Sequence, residues 1–216
     1  MLQEHQATFL KTSPFYTFGQ FTEKTTHVWW LFHGYGQLGQ YFYKKFEVLS
    51  PEHHFLIIPE GTSKFYYEGF TGKIGASWLT KYQREQEIAD ALRYLREVKR
   101  QVPLPADATY KTTLLGFSQG ASMASRWALS EEIDFNRLIL WAGNFPHDAN
   151  KAHVKNVFQG KEIIFVYGTQ DEFIERGLVQ LEKSYFDKLG ISLQVITFEG
   201  KHELVSEIIE SLSKSL

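Results

Sequence analysis

The 216-residue chain is predicted to form an α/β fold, a mainly parallel twisted sheet with helices on both faces. Three observations carry this. Short apolar runs alternate with stretches of helical periodicity, the pattern of strands joined by crossover helices. Glycine-rich turns follow several of the apolar runs, at what would be the carboxyl ends of the strands. Hydrophobic residues make up 43% and charged residues 22% of the chain, an ordinary globular composition. That length suits one domain over residues 1–216, with no repeat, low-complexity stretch or linker to divide it.

The elements follow in order. Ala7–Leu10 and Pro14–Phe18 read as a first hairpin, and His27–Phe32 as a buried strand. Residues 38–49 read as a helix. Phe55–Ile58 is the next strand, ended by Pro59. Residues 59–81 are rich in glycine and aromatics without periodicity, and read as a long ordered loop. Ile88, Ala91, Leu92, Leu95, Val98 and Val102 fall at the spacing of one helix face over 82–102, and Pro103 stops that helix. A strand at Thr112–Leu115 leads into a helix over 121–129. Leu138–Trp141 is a strand, a short helix-bearing connection follows, and Ile163–Tyr167 is another strand. Leu178, Leu181, Tyr185, Phe186 and Leu189 mark a helix. Leu193–Phe198 is the last strand, and Leu204, Ile208, Ile209 and Leu212 mark a closing helix.

Between the strand at 112–115 and its helix stands Gly116-Phe117-Ser118-Gln119-Gly120. A Gly-x-Ser-x-Gly turn from strand to helix pushes the serine hydroxyl clear of the sheet, and its glycines remove side chains that would collide there. The helix that follows aims its first free N–H groups at the same point. Serine needs a base and an orienting acid, in the chain order Ser, Asp or Glu, His. Asp171 follows the strand ending at Tyr167, and His202 follows the last strand. Each alone has a plain alternative: Asp171 a turn or helix cap, His202 a surface residue before the closing helix. Together, in this order and at strand ends, they read as acid and base for Ser118. The rival acids Asp148 and Asp187 fall in a connection and a helix, and the rival bases His147 and His153 precede Asp171. The turn His33-Gly34-Tyr35-Gly36 fits a second oxyanion donor, pairing Tyr35 N–H with Gln119 N–H, with His33 a structural residue of that turn.

Other function classes are disfavoured. The formal net charge is −2 with basic residues scattered, so no nucleic-acid footprint is expected. The apolar runs are too short to span a bilayer. The chain has no cysteine, which removes disulfides and thiolate catalysis and agrees with a reducing compartment. The first residues show no secretory signal pattern, and a cytoplasmic location is expected. The eight histidines show no metal-ligand spacing, so no metal is expected. Nothing in the sequence indicates an oligomeric state.

With those residues in place, the chain resembles the α/β-hydrolase superfamily, and within it the small carboxylesterase, lysophospholipase and acyl-protein thioesterase branch. The stretches that carry the resemblance are 31–37 (LFHGYGQ), 75–78 (GASW), 116–120 (GFSQG), 168–171 (GTQD) and 199–202 (EGKH). The resemblance implies an α/β-hydrolase fold with little or no cap domain, the segment 143–161 being too short for one. It implies a Ser118, Asp171, His202 triad with Tyr35 and Gln119 as oxyanion donors. Trp78 would line the site near the acyl group, and no cofactor is implied. Two departures bear on pocket shape. The run Asp171-Glu172-Phe173-Ile174-Glu175 lacks the proline often found there, and the loop 60–70 is crowded with aromatics. Trp78 and Phe173 are the expected substrate-binding residues. The expected activity is hydrolysis of small-molecule esters or thioesters through an acyl-enzyme. A peptidase of the same fold and an inactive binding protein are the alternatives.

Overall fold

The computed structural model describes residues 1–102, 104–105, 108–175 and 177–215. A seven-stranded sheet runs in the order β1-β3-β2-β6-β7-β8-β9. Its strands are β1 (Phe15–Phe18), β2 (His27–Phe32), β3 (His54–Pro59), β6 (Lys111–Phe117), β7 (Arg137–Trp141), β8 (Glu162–Gly168) and β9 (Leu193–Phe198). Only β1 is antiparallel to its neighbour; every other pairing is parallel. Two further strands, β4 (Ser63–Tyr66) and β5 (Ile74–Ser77), form a separate antiparallel hairpin.

Both faces of the sheet are covered, as parallel strands require. Along β2, Val28, Trp30 and Phe32 pack into one core while Trp29 and Leu31 pack into the other, the two-residue period of a strand. The first core receives helices α2 (Arg84–Gln101), α3 (Gln119–Leu129), α4 (Lys151–Phe158) and α5 (Leu178–Lys188). The second receives the short α1 (Gly39–Phe42) with the 3-10 turn Tyr43–Phe46, and α6 (Ser206–Ser213). Arg137, fully buried at the start of β7, donates to Leu212 O at 2.6 Å and to Glu162 Oε2 at 2.6 Å, tying the end of α6 to the sheet.

Three expectations need correction. Residues 7–10 are exposed and form no strand; β1 takes its partner from β3 instead, matching Phe15 to Pro59 and Phe18 to Leu56. The stretch 38–49 is one α-helical turn followed by a 3-10 turn, without a full helix. The loop 59–81 contains the β4–β5 hairpin. The stop assigned to Pro103 lies outside the described residues. The segment 143–161 builds no cap: it contains α4, whose Val154 and Phe158 are buried in the core. Among the described residues, no helix is long and apolar enough to cross a membrane.

The chain leaves β2 for β3 on one side and later enters β6 on the other. The order therefore reverses between β2 and β6, and in an open α/β sheet a crevice opens outside the carboxyl ends at such a point. The loops after β2 and β6 are the two that carry His33–Gly36 and Gly116–Gly120.

Candidate active site

Ser118 links β6 to α3 with φ 54° and ψ −120°, a conformation that costs a non-glycine residue about 1–3 kcal/mol and persists only where its surroundings enforce it. Here close packing enforces it. A Cβ on Gly116 would lie 2.2 Å from Gly120 O, one on Gly120 would lie 2.1 Å from Phe32 O, and one on Gly143 would lie 2.1 Å from Ser118 O. Ser118 N–H donates to Trp141 O at 2.8 Å, pinning the turn to the end of β7. Gln119 N–H opens α3 and so has no acceptor within the helix.

The Gln119 side chain is saturated by one neighbouring segment. Its Oε1 accepts from Trp78 N–H at 2.9 Å, and its Nε2 donates to Leu79 O at 2.7 Å and to Ser77 Oγ at 3.2 Å. The residue after Ser118 thus clamps the segment that follows β5.

The turn after β2 is held from below. His33 is fully buried; its Nδ1–H donates to Gly34 O at 2.8 Å, and its Nε2 accepts from Gly61 N–H at 2.9 Å. These partners demand the neutral ring, and burial pushes its pKa down from 6.5 to about 4. A neutral ring with both nitrogens occupied cannot serve as a base, which leaves it a structural part of the turn. Trp78 is 1% exposed, packs tilted against His33 with ring centroids 5.0 Å apart, and donates from Nε1 to His33 O at 2.9 Å. Trp78 thus lies buried beneath the His33–Gly36 turn, whereas the resemblance implies a Trp78 that lines the site near the acyl group. Gly36 N–H donates to Ala76 O at 2.8 Å, and Tyr35 stacks on Phe65 at 4.9 Å. Tyr35 N–H takes no acceptor among the described residues. Tyr67 lies over Gly36 so closely that a Cβ there would fall 1.5 Å from its hydroxyl. The sequence marked Tyr67 only as one loop aromatic; the contact with Gly36 exists because the β4–β5 hairpin folds over the turn.

Past β8 and β9, the two remaining chemical residues meet. His202 Nδ1–H donates to Asp171 Oδ2 at 2.8 Å. The Asp171 side chain is wholly buried and that of His202 is 20% exposed. Asp171 Oδ1 accepts from Phe173 N–H at 2.9 Å, so both carboxylate oxygens are used. Their loops lock together because Gln170 N–H donates to Gly200 O at 2.8 Å, where a Cβ on Gly168 would sit 2.3 Å away. The His202 ring lies between Phe117 and Phe173, each 4.8 Å away. Phe173 is otherwise exposed.

The rival residues are engaged elsewhere. Asp148 accepts from Arg84 and Arg126, each at 2.8 Å; burial raises its pKa, but these bonds outweigh it and bring it down to about 2. His147 bonds Glu182 at 3.0 Å, and His153 donates to Leu129 O at 2.7 Å.

A cavity of about 830 Å³ opens beside His202 and Phe117, bounded also by Gly36, Tyr41, Phe42 and Tyr67. That volume is within the roughly 300–1,000 Å³ of small-molecule sites. A second hollow, of about 880 Å³, lies between residues 19–24 and 51–52, before the amino ends of β2 and β3 and thus away from this crevice.

A family model described as Phospholipase/Carboxylesterase matches residues 20–216. The chain belongs to this family. Its members are hydrolases, and the α/β-hydrolase fold expected from the motifs is the one observed. Solved structures of similar fold include acyl-protein thioesterase 2 of Zea mays (TM-score 0.70, 16% identity, covering 94% of this chain and 97% of that one). They also include esterase PE8 (TM-score 0.62, 18% identity, 94% and 96%) and SOBER1 of Arabidopsis thaliana (TM-score 0.63, 16% identity, 88% and 96%). At these identities the likeness speaks for the fold. No curated protein matches the sequence.

Proposed function

We propose that this member of the family is a serine hydrolase that cleaves carboxylic esters, and thioesters by the same route, through an acyl-enzyme on Ser118. The observation that carries the reading is the His202–Asp171 bond at 2.8 Å, made by loops at the same end of the sheet as the strained Ser118 turn. Because Nδ1 is committed to Asp171, Nε2 is the nitrogen left to take the Ser118 proton. Asp171 holds that tautomer and stabilises the imidazolium that forms.

In the first half-reaction Ser118 Oγ bonds to the carbonyl carbon while its proton passes to His202. Tyr35 N–H and Gln119 N–H receive the developing oxyanion; losing one such donor typically costs about 3 kcal/mol. His202 returns the proton to the departing alcohol or thiol, and the acyl-enzyme remains. Water then gives its proton to His202, attacks the same carbon, and Ser118 leaves with the proton restored. These steps are complete with side chains, backbone N–H groups and water, so no cofactor enters. Phe173, exposed beside His202, would contact the bound ester, and Trp78 would act through His33 and the oxyanion turn. Small-molecule esters are the proposed substrates.

Labelling with a fluorophosphonate probe followed by peptide mapping tests this. A stoichiometric adduct on Ser118 that disappears in His202→Ala is the expected result. A folded protein that takes no label would reverse the conclusion in favour of a binding role.

A further inference from the structure

Three carboxylates are buried among the described residues: Glu60, Asp171 and Glu182. Asp171 and Glu182 each hold a histidine. Glu60 holds the stretch of backbone that carries Tyr35. It follows β3 directly, and its Oε2 accepts from Gly39 N–H at 2.7 Å. Gly39 opens α1, and Leu38 before it has no side-chain oxygen to cap that N–H. The acceptor comes instead from a carboxylate 21 positions further along the chain. Glu60 Oε1 pairs with Lys64 at 2.8 Å, and the same ammonium donates to Gly61 O at 2.6 Å. Gly61 N–H in turn donates to His33 Nε2. Residues 60–64 thus grip both ends of 33–39, at His33 through Gly61 and at Gly39 through Glu60, and Lys64 joins the two grips. Tyr94 Oη accepts from Glu60 N–H at 3.1 Å and donates to Pro14 O at 2.6 Å, which fixes the Glu60 backbone from α2.

Between those ends, Gly34 N–H donates to Gln37 Oε1 and Gly36 N–H to Ala76 O, while Tyr35 N–H takes no acceptor among the described residues. A buried carboxylate is costly unless it is paired and hydrogen-bonded, and a neutral oxygen would satisfy Gly39 N–H alone. The charge adds the hold on Lys64 and, through it, on Gly61. We propose that Glu60 is a positioning residue for the reaction on Ser118. With Lys64 it fixes the direction of Tyr35 N–H, and so the stabilisation of the oxyanion, without touching substrate. This rests on the ester-hydrolase reading above and extends it to a residue outside the triad and its donors.

Three variants test it, with circular dichroism to verify each fold. Glu60→Ala removes both grips, Glu60→Gln keeps an oxygen for Gly39 N–H, and Lys64→Met removes the cation. Glu60→Ala should lose about 30- to 100-fold in kcat on a p-nitrophenyl ester with KM within about threefold, the scale of a misplaced catalytic group. Glu60→Gln and Lys64→Met should each lose only about five- to tenfold. The kcat/KM ratio of an oxygen ester over its thionoester should drop in step, because a sulfur anion accepts N–H bonds less well and gains less from the donors. The pH profile, set by His202, should stay in place. Unchanged kcat in Glu60→Ala, or a lower kcat with an unchanged ester-to-thionoester ratio, would overturn the proposal. If Glu60→Ala does not fold, the other two variants decide, and unmodified values of kcat and of the ratio in both would overturn it. Amide hydrogen exchange reads the turn apart from catalysis: residues 33–39 should exchange faster in the variants, and unchanged exchange counts against Glu60. An unmodified protein that turns over no ester while its variants show faster exchange counts against the hydrolase reading and leaves the hold on the turn standing. Turnover that is indifferent to Glu60 counts against the positioning role alone.

Discussion

Two buried carboxylates in this molecule each hold a histidine. Asp171 bonds His202 at 2.8 Å, and Glu182 bonds His147 at 3.0 Å. Both acid side chains are wholly buried, and the imidazoles are 20% and 39% exposed. Each carboxylate also accepts a backbone N–H, from Phe173 and Phe145 respectively. By distance and burial alone the pairs are near equivalents. They differ in what surrounds them. His202 gives Nδ1 to its acid and lies against Phe117, the residue before the strained serine. His147 gives Nε2 to its acid, and its ring is stacked flat on Tyr185 at 4.4 Å and 4°. Burial raises the pKa of Glu182 even against its bond from His147. An acid–histidine pair is thus a common structural unit. A forced serine conformation and free N–H groups at the same crevice are what make one of them a candidate for catalysis.

Substitution can break this comparison. Ser118→Ala should lower kcat by roughly five to six orders of magnitude, and Asp171→Asn by about four through the wrong histidine tautomer. Steady-state kinetics on an activated ester measures both, and a Ser118→Ala protein retaining a percent of activity would contradict the triad.

A smaller effect is expected at Gln119, whose backbone donor survives truncation. Gln119→Ala frees the Ser77–Leu79 segment from its clamp, and misplacement of that order costs up to about 100-fold. The loss should appear mainly in kcat, with the fluorophosphonate adduct still forming on Ser118.

Glu182→Ala gives the opposite pattern. It should leave kcat/KM within about twofold while lowering stability by about 1–3 kcal/mol, the cost of stranding the Phe145 N–H and His147 partners. Denaturant unfolding alongside kinetics reads both, and an activity loss to match Asp171→Asn would erase the distinction between the pairs.

The mildest expectation concerns acid. His33 and His54 are each pushed down to about 4 from 6.5, chiefly by burial. The unfolded chain therefore binds more protons than the folded one between those values. Stability should fall as pH drops from about 6.5 towards 4, in proportion to the proton difference. Unfolding midpoints measured across that window check the sign, and His33→Gln should flatten the slope if the protein folds.

Particular residues show what could be read beforehand. His27–Phe32 and Leu138–Trp141 were legible because a strand buried on both faces must be apolar throughout. Ser118, Asp171 and His202 were legible as candidates because glycine punctuation and chain order mark the ends of strands. Ala7–Leu10 misled because a short apolar alternation carries no information about its partner. The β4–β5 hairpin went unread because Tyr66, Tyr67 and Ile74 are exposed, so burial imposes no period on the sequence there. The Glu182–His147 pair left no signal at all, being a contact across 35 positions of chain.

The sequence by itself determined the parallel sheet, the turn that must carry Ser118, and the strand ends at which an acid and a base could stand. These follow from local sterics and from the periodicity of burial, both of which are written residue by residue. Only the tertiary structure decided that Asp171 meets His202, that Gln119 clamps the segment behind it, and that Trp78 is buried beneath the His33–Gly36 turn. Those contacts join distant parts of the chain, and their geometry exists only once the sheet has brought its loops to one edge.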